Sequence, residues 1–235
     1  MIGIFSKTID SSFIEAAGMA GLDFIILDQE HGLVSREQLY NHVRAAKGTK
    51  MKSIVRVAEL NSNLIGSALD AGADGVQVPN ISTSEEAKKA IESARFFPHG
   101  VRGVCRFVKS ASYGDMDRNN YFQSENNKLL ILQVEGIEGI KNIDSILDLK
   151  GFDILFIGPY DLSQSLGIPG QINHPILLKE IQNIAEKALE KGKKLGAFTD
   201  TVEGVKLMKS YGVDYLAYSV DVNIYLESCK KILDY

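Results

Sequence analysis

The sequence has few cysteines, no excess of positive charge and no long apolar run. Its two cysteines, Cys105 and Cys229, are far apart and lack metal-site spacing, which argues against a disulfide framework and favours a reducing compartment. The net charge of −4 indicates no basic surface for nucleic acid or an anionic membrane. No apolar run approaches the roughly 18 residues of a membrane helix, and residues 1–10 lack the features of a signal peptide. We therefore expect a cytoplasmic protein with no nucleic-acid or membrane partner.

Signatures of other chemistries are also missing. There is no dinucleotide or P-loop fingerprint and no Cys/His zinc spacing. A Schiff-base aldolase needs a lysine near the carboxyl end of a barrel strand, whereas Lys52, Lys128 and Lys194 begin their predicted strands. His42 is expected on a helix surface and His174 at a helix start. What is left is a set of carboxylates, one arginine and one histidine at the ends of apolar runs.

Short apolar runs alternate with amphipathic stretches along the whole chain. Eight runs predict strands, at 2–5, 23–27, 52–57, 74–79, 129–134, 152–157, 194–198 and 214–219. Their continuous apolar character indicates strands that are covered on both faces, as in a parallel sheet. Helices are predicted at 10–20, 36–47, 61–71, 81–95, 138–148, 174–192, 201–211 and 221–233.

Eight βα units in a chain of 235 residues predict an α/β fold, a (β/α)8 TIM barrel over a single domain at 1–235. An open, doubly wound sheet is the alternative. The helix at 81–95 could begin with a capping box of Ser82 with Glu85 or of Thr83 with Glu86. The longest irregular stretch, 98–127, is long enough for us to expect a functional loop there.

Polar side chains follow several of the predicted strands. In a barrel the active site lies at the carboxyl ends of the strands. The residues found there are Asp28, Glu30 and His31 after strand two, Arg56 in strand three, Gln133 and Glu135 in and after strand five, and Asp161 after strand six. We therefore interpret these residues as one site.

Each of these residues has a structural alternative. Asp161 could simply cap the next helix, whereas Glu135, directly after an apolar run, is a poorer cap. Arg56 lies within a strand, where an unpaired guanidinium would be costly, so it needs an anionic neighbour. Asp28 and His31 could form an orienting Asp–His pair. Glutamate and aspartate at neighbouring strand ends can bind Mg²⁺ or a similar ion and leave positions for water and substrate.

Long motifs in this order resemble the HpcH/HpaI aldolase family, metal-dependent pyruvate aldolases of the phosphoenolpyruvate/pyruvate superfamily. The matching segments are DFIILDQEHG, SIVRVAE, LDAGADGVQVPNISTSEEAKKAIESARFFPHGVRG, ILQVEGIEGIKNID and GFDILFIGPYDLSQSLGIPG. They extend from about 23 to 175, with weaker similarity to 220.

The resemblance implies roles for individual positions. Glu135 and Asp161 match the family's metal ligands, and Arg56 matches the arginine that contacts the pyruvyl oxygen. His31 matches the catalytic histidine, paired with Asp28, and Gln133 matches a residue that contacts the substrate. The remaining implied positions are Glu30 and Asp70, which would hold metal-bound waters, and the backbone N–H groups around Pro159, Tyr160 and Asp161, which would receive the pyruvate carboxylate.

The implied activity is that of a class II aldolase. It would cleave or form 4-hydroxy-2-oxo acids from pyruvate and an aldehyde through a metal-stabilised enolate, with Mg²⁺, Mn²⁺ or Co²⁺ as cofactor. A citramalyl- or malyl-thioester lyase and a catalytically silent ligand-binding barrel are the alternatives. Gln29, Gly136 and the stretch RFFP (95–98) depart from the family pattern. Gly136 and the bulky Tyr160 could reshape the pocket, which leaves the aldehyde open. Family members exchange the C-terminal helix between protomers and form hexamers, as trimers of dimers, so a homo-oligomer is implied here.

Overall fold

The computed structural model describes residues 1–234 and shows a closed parallel barrel in which each strand pairs with the next along the chain. The strands are β1 (Ile2–Ser6), β2 (Phe24–Asp28), β3 (Lys52–Arg56), β4 (Gly75–Val78), β5 (Leu129–Val134), β6 (Ile154–Ile157), β7 (Lys194–Thr199) and β8 (Tyr215–Val220). Because β8 pairs with β1, the sheet has no open edge. The predicted barrel is confirmed and the open doubly wound sheet is wrong.

Helices cover the outside of the barrel. They are α1 (Ser11–Met19), α2 (Arg36–Lys47), α3 (Ser62–Asp70), α4 (Ser84–Ala94), α5 (Arg118–Asn126), α6 (Ile137–Lys141), α7 (Ile143–Leu147), α8 (Pro159–Ser165), α9 (Pro175–Glu190), α10 (Val202–Ser210) and α11 (Asp221–Ile232). Within the described residues, every helix is too short or too polar to cross a bilayer.

Helix starts and ends follow local chemistry. Thr83 and Glu86 form the capping box of α4, so of the two predicted boxes this is the one that occurs. His174 caps α9 as predicted: its side chain accepts a hydrogen bond from the backbone N–H of Ile176. His42 is fully buried on α2, where its ring bonds Ser11 and the carbonyl of Thr8. The prediction of a surface position for His42 is therefore wrong, because this face of α2 packs against α1.

Two predicted segments differ in detail. The single helix predicted at 138–148 is divided into α6 and α7, which meet at Asn142. The stretch 98–127, predicted to be irregular, contains the 3₁₀ segment Lys109–Gly114 and the helix α5. Asp117 caps α5 by accepting hydrogen bonds from two backbone N–H groups. Aspartate is a preferred residue at the start of a helix, and this signal was missed when the stretch was predicted to be irregular.

Side chains alternate between the barrel interior and the helices, as the period of a strand requires. A small apolar cluster fills the interior, formed by Phe5, Phe24, Ile26, Ile54, Ile131, Ile154, Phe156, Tyr215 and Ala217. Two residues further along the same strands, the inward positions hold polar groups. Asp28 follows Ile26, Arg56 follows Ile54, and Gln133 follows Ile131. The fold therefore places these groups directly above the apolar interior.

Candidate active site

A cavity of about 300 Å³ opens at the carboxyl ends of the strands. Its lining comes from most of the strand ends and comprises Phe5, Lys7, His31, Arg56, Gln133, Phe156, Gly158, Pro159, Tyr160, Asp161, Phe198 and Val220. Aromatic residues form much of the wall. Two cationic side chains and one carboxylate provide the charge.

Arg56 and Asp28 form a buried, two-pronged ion pair. They are register partners on β2 and β3. Arg56 Nε donates to Asp28 Oδ1 at 2.9 Å and Nη2 donates to Oδ2 at 2.8 Å. Burial raises the pKa of Asp28, but the hydrogen bonds and charge of Arg56, with smaller contributions from His31 and Lys7, together outweigh burial and lower the pKa. Burial lowers the pKa of Arg56, but the nearby carboxylates, Asp28 foremost, together outweigh burial and raise the pKa. Both groups therefore stay charged, and the anionic neighbour that Arg56 requires is Asp28.

Glu30 is the second carboxylate beside Arg56. Its Oε2 lies 2.9 Å from Arg56 Nη1, and its Oε1 accepts from Asn80 Nδ2 at 3.1 Å. Burial raises the pKa of Glu30 despite the opposing charge of Arg56. Glu30 is thus held between a strand and the loop after β4.

His31 does not pair with Asp28 through its ring. Asp28 Oδ1 accepts from the backbone N–H of His31 at 3.3 Å, while both carboxylate oxygens face Arg56. The imidazole is 57% exposed, and its Nε2 lies 4.0 Å from Glu30 Oε2. The predicted Asp–His side-chain pair is therefore not formed, because the register partner of Asp28 occupies its carboxylate. Glu30 is the carboxylate beside His31, and the ring faces the cavity.

Glu135 ends a line of buried polar side chains inside the barrel. Its Oε1 accepts from the backbone N–H of Asn80 at 2.9 Å, and its Oε2 accepts from Gln133 Nε2 at 2.5 Å. Gln133 in turn accepts from Gln77 Nε2. Asn80 has a positive φ of 57°, a backbone conformation that asparagine tolerates better than most residues. Glu135 is thus fixed at both oxygens.

The charge of Glu135 is disfavoured in the protein alone. Burial, together with the negative charges of Asp161 and Glu30, raises the pKa of Glu135 to about 7. Gly158 makes room for this carboxylate, since a Cβ at that position would lie 2.5 Å from Glu135 Oε2. A nearby cation would relieve this cost and favour the ionised form.

Asp161 lies in the first turn of α8 and is exposed. The N-cap residue of this helix is Gly158, and no side chain makes a capping hydrogen bond at this helix start. The interpretation of Asp161 as the helix cap is therefore wrong. Proline at 159 has no backbone N–H, and of the three positions predicted to receive a carboxylate only Tyr160 and Asp161 can donate. Tyr160 donates its hydroxyl to Asp200 Oδ2 at 2.5 Å. Burial and this contact raise the pKa of Tyr160 to about 12.

Asp70 is not part of this site. It ends α3, and Arg102 Nη2 donates to its Oδ1 at 2.6 Å. The helix that follows a barrel strand runs back toward the amino ends of the strands, so its last residue lies at the opposite rim. Within this chain Asp70 therefore does not line the cavity, and its role in holding a metal-bound water stays a prediction.

The donor set at the rim fits a hard divalent ion in part. Glu135 and Asp161 provide carboxylate oxygens, and such ions commonly take one or two carboxylates with water and substrate in the other positions. Among residues 1–234, no group of three or more His, Cys, Asp or Glu side chains is placed to hold a metal ion. These residues therefore suit an ion that shares its coordination with substrate, not a closed structural site.

Functional candidates that the sequence interpretation missed are Lys7, Gln77 and Asn80. Lys7 follows β1 and lines the cavity, so a lysine does lie at the carboxyl end of a strand. Gln77 interrupts an apolar strand in the same way as Gln133, and this polar residue at an inward position was the available signal. Asn80 had no comparable signal, because its contribution is a backbone N–H.

The sequence model of the HpcH/HpaI aldolase/citrate lyase family matches residues 1–226. A 5-keto-4-deoxy-D-glucarate aldolase from Shigella boydii is 31% identical over 99% of this chain and 90% of its own length. A 2-keto-3-deoxy-L-rhamnonate aldolase from Escherichia coli is 31% identical over 97% of this chain and 85% of its own length. The crystal structure of an HpcH/HpaI aldolase/citrate lyase family protein from Burkholderia cenocepacia J2315 superimposes with a TM-score of 0.94 at 29% identity, covering 100% of this chain and 93% of that one.

Proposed function

Because the chain belongs to the HpcH/HpaI aldolase/citrate lyase family of carbon–carbon lyases, we propose that it is a divalent-metal-dependent pyruvate aldolase. The reaction is the reversible cleavage of a 4-hydroxy-2-oxo acid to pyruvate and an aldehyde. One observation carries the proposal: Arg56, His31, Gln133 and Asp161 line one cavity, and Glu135 lies next to that cavity, bonded to Gln133.

The 2-oxo-acid end of the substrate would bind between β5, β6 and Arg56. Glu135 and Asp161 would hold the divalent ion, which when bound would supply Lewis-acid polarisation of the 2-oxo group. The N–H groups of Tyr160 and Asp161 would receive the pyruvate carboxylate, and Gln133 would orient the oxo group. Preformed donors of this kind require little rearrangement when charge develops.

Arg56 would stabilise the negative charge that appears on the 2-oxo oxygen when the carbon–carbon bond breaks, or when His31 accepts a methyl proton from pyruvate. Its guanidinium is fixed by Asp28 and Glu30 and lies over the ring of Phe5, with 4.7 Å from Cζ to the ring centroid. A charge held this firmly is preorganised for the enolate oxygen. Asp28 would act by positioning Arg56.

His31 would move the proton of the 4-hydroxyl group. In the cleavage direction its ring would accept this proton as the carbon–carbon bond breaks, and in the addition direction it would return the proton. The ring's exposure to the cavity and its distance of 4.0 Å from Glu30 support a base assisted by Glu30.

The test is pyruvate release from a panel of 4-hydroxy-2-oxo acids. Protein stripped with EDTA should be inactive and should recover when Mg²⁺, Mn²⁺ or Co²⁺ is added. His31→Ala should lose most turnover while its binding of Mn²⁺, followed by electron paramagnetic resonance, is retained. Activity that is indifferent to EDTA would refute the proposal.

Lys7 requires a matched control, since a lysine at this rim could form a Schiff base with pyruvate. Borohydride reduction in the presence of pyruvate should leave the protein mass unchanged under the metal-dependent mechanism. A pyruvate adduct on Lys7 would replace the metal-dependent mechanism with a covalent one.

We also propose a homohexamer, built as a trimer of dimers with α11 exchanged between neighbours. Support comes from the apolar side chains that α11 leaves exposed, namely Val222, Tyr225, Leu226 and Ile232. Light scattering coupled to gel filtration would give the mass of the assembly, and a monomeric mass near 25.8 kDa would contradict the proposal.

A further inference from the structure

Gln77 is a fully buried amide inside the barrel, and the mechanism above gives it no role. Its strand neighbours Val76 and Val78 pack in the apolar layer between the barrel and the helices, so the alternation of β4 turns Gln77 inward. An aliphatic side chain would fill this position without burying a polar group, which is costly unless that group is hydrogen-bonded. The amide therefore requires an explanation.

Within residues 1–234, one end of the Gln77 amide is hydrogen-bonded and the other is not. Its Nε2 donates to Gln133 Oε1, whereas its Oε1 is buried without a hydrogen-bond partner. A buried acceptor without a partner costs at least as much stability as one hydrogen bond contributes. The stability of the fold therefore does not explain the amide, and its contact with Gln133 is what it provides.

Gln133 is held at both ends of its own amide. Its Oε1 accepts from Gln77, and its Nε2 donates to Glu135 Oε2 at 2.5 Å. Nε2 also faces Gly158 of the cavity wall, since a Cβ at Gly158 would lie 3.5 Å from it. An amide nitrogen carries two hydrogens, so one N–H remains for a ligand after Glu135 is bound. Gln133 thus offers a donor to the cavity, while Gln77 covers its acceptor oxygen.

Gln77 restricts the opposite orientation of the Gln133 amide. A half turn about the last side-chain bond would exchange Oε1 and Nε2 of Gln133 and bring its oxygen beside Glu135. The ionised carboxylate of Glu135 disfavours this state, because two acceptors would then face each other. A cation held by Glu135 would weaken this preference, because it would itself attract an amide oxygen. The contact with Gln77 does not depend on a cation, and with it in place the two amides can reverse only together.

We propose that Gln77 is a positioning residue that holds the Gln133 amide with its nitrogen toward Glu135 and the cavity, so that Gln133 acts on a ligand as a hydrogen-bond donor. The inference rests on the proposed function for the identity of the ligand, a 2-oxo acid. The oxo and carboxylate oxygens of such an anion carry no hydrogen and can only accept, so a reversed Gln133 would place its oxygen against them. Gln77 therefore contributes to binding of the 2-oxo acid without touching it.

Pyruvate binding measures the action of Gln77 through Gln133. Isothermal titration calorimetry with the Mn²⁺-loaded protein would compare the wild type, Gln77→Met, Gln133→Met and the double variant, since methionine has nearly the shape of glutamine and no N–H. We expect Gln77→Met to weaken pyruvate binding about two- to tenfold, the contribution of one hydrogen bond between neutral groups. In the Gln133→Met background the same substitution should leave the affinity unchanged, because the amide that Gln77 positions is absent. Gln182→Met, at an exposed position of α9, is the matched control and should not change the affinity.

Urea unfolding of the metal-free protein tests the contact itself. Gln77→Met leaves Gln133 Oε1 without its donor, and Gln133→Met leaves the Gln77 amide without its partner, so each substitution should lower the urea midpoint. The double variant removes both partners together, and its midpoint should fall by less than the sum of the two separate losses.

Three results would overturn the inference: additive losses in the urea midpoint, pyruvate binding unchanged in Gln77→Met, or equal weakening with and without the Gln133 amide. The last of these would assign Gln77 to the general packing of the barrel interior. Absence of pyruvate binding in the wild type, with the non-additive midpoints retained, would overturn the proposed function and leave the fixed orientation of Gln133 standing.

Discussion

Removal of Arg56 should destabilise the protein strongly, and by an amount that depends on pH. In Arg56→Met the fully buried Asp28 would keep only backbone N–H donors at 3.1 and 3.3 Å and Lys7 at 3.7 Å. Breaking a buried ion pair on one side costs about 3–5 kcal/mol, because the other charge stays desolvated. We therefore expect a loss of about that size in the free energy of unfolding at pH 7.

The pH dependence follows from the pKa of Asp28. With Arg56 present that pKa lies below its ordinary value of 3.8, so the ionised Asp28 stabilises the protein above about pH 4 and this stability is lost as the pH falls. Without Arg56, burial would raise the pKa, and ionisation would instead destabilise the variant as the pH rises. The difference between the two proteins should therefore be larger at pH 7.5 than at pH 4.5.

Urea denaturation followed by circular dichroism would measure both effects. Asp28→Asn in the Arg56→Met background removes the uncompensated charge and should recover part of the lost stability, which completes a double-mutant cycle. A loss equal at both pH values, or a double variant no more stable than Arg56→Met, would refute the assignment of this pair as a buried ionic contact.

Further predictions concern Glu135 and its neighbours. Burial raises the pKa of Glu135 to about 7 from 4.5. The metal-free protein should therefore lose roughly 3 kcal/mol in its free energy of unfolding as the pH rises from 4.5 through 7. Glu135→Gln should remove this pH dependence, and an unchanged dependence would contradict the raised pKa. Gly158→Ala should displace the carboxylate and lower kcat/KM about tenfold or more, while the far-UV circular dichroism spectrum is unchanged; full activity would show that the site tolerates the methyl group. His31→Ala should change the free energy of unfolding by less than about 0.5 kcal/mol, as expected for an exposed side chain, and a larger loss would show that the ring supports the fold.

The barrel was predictable from the sequence because its strands are marked by composition. Each strand is covered on both faces, so each appears as a mainly apolar run, and every predicted strand lies within two residues of its observed bounds. The polar residues at the ends of β2, β3 and β5 were predictable for the same reason, since they interrupt apolar runs at inward positions. The pattern of apolar and polar residues within one segment was sufficient to predict the strands and the polar residues at their ends, because both depend on neighbours in the sequence.

Partners across strands were not predictable from spacing. Asp28 and His31 are three residues apart, which suggested a pair, but the register of β2 against β3 places Arg56 directly opposite Asp28. The position of Asp70 outside the cavity of its own chain was not predictable, because a motif shared with a family does not show at which rim a helix ends. Lys7 was missed because it lies two residues beyond the strand predicted at 2–5 and not at its end.

The interior of the barrel changes in character from one rim to the other. Aromatic and aliphatic side chains occupy its lower part, the amides of Gln77 and Gln133 lie above them, and charged groups occupy the top. Since the side chains of each level come from different strands, a substitution at the top exchanges one chemical group without disturbing the apolar cluster that supports it. Evolution can therefore change the substrate that the cavity binds by single substitutions at the strand ends, while the apolar interior of the barrel stays the same.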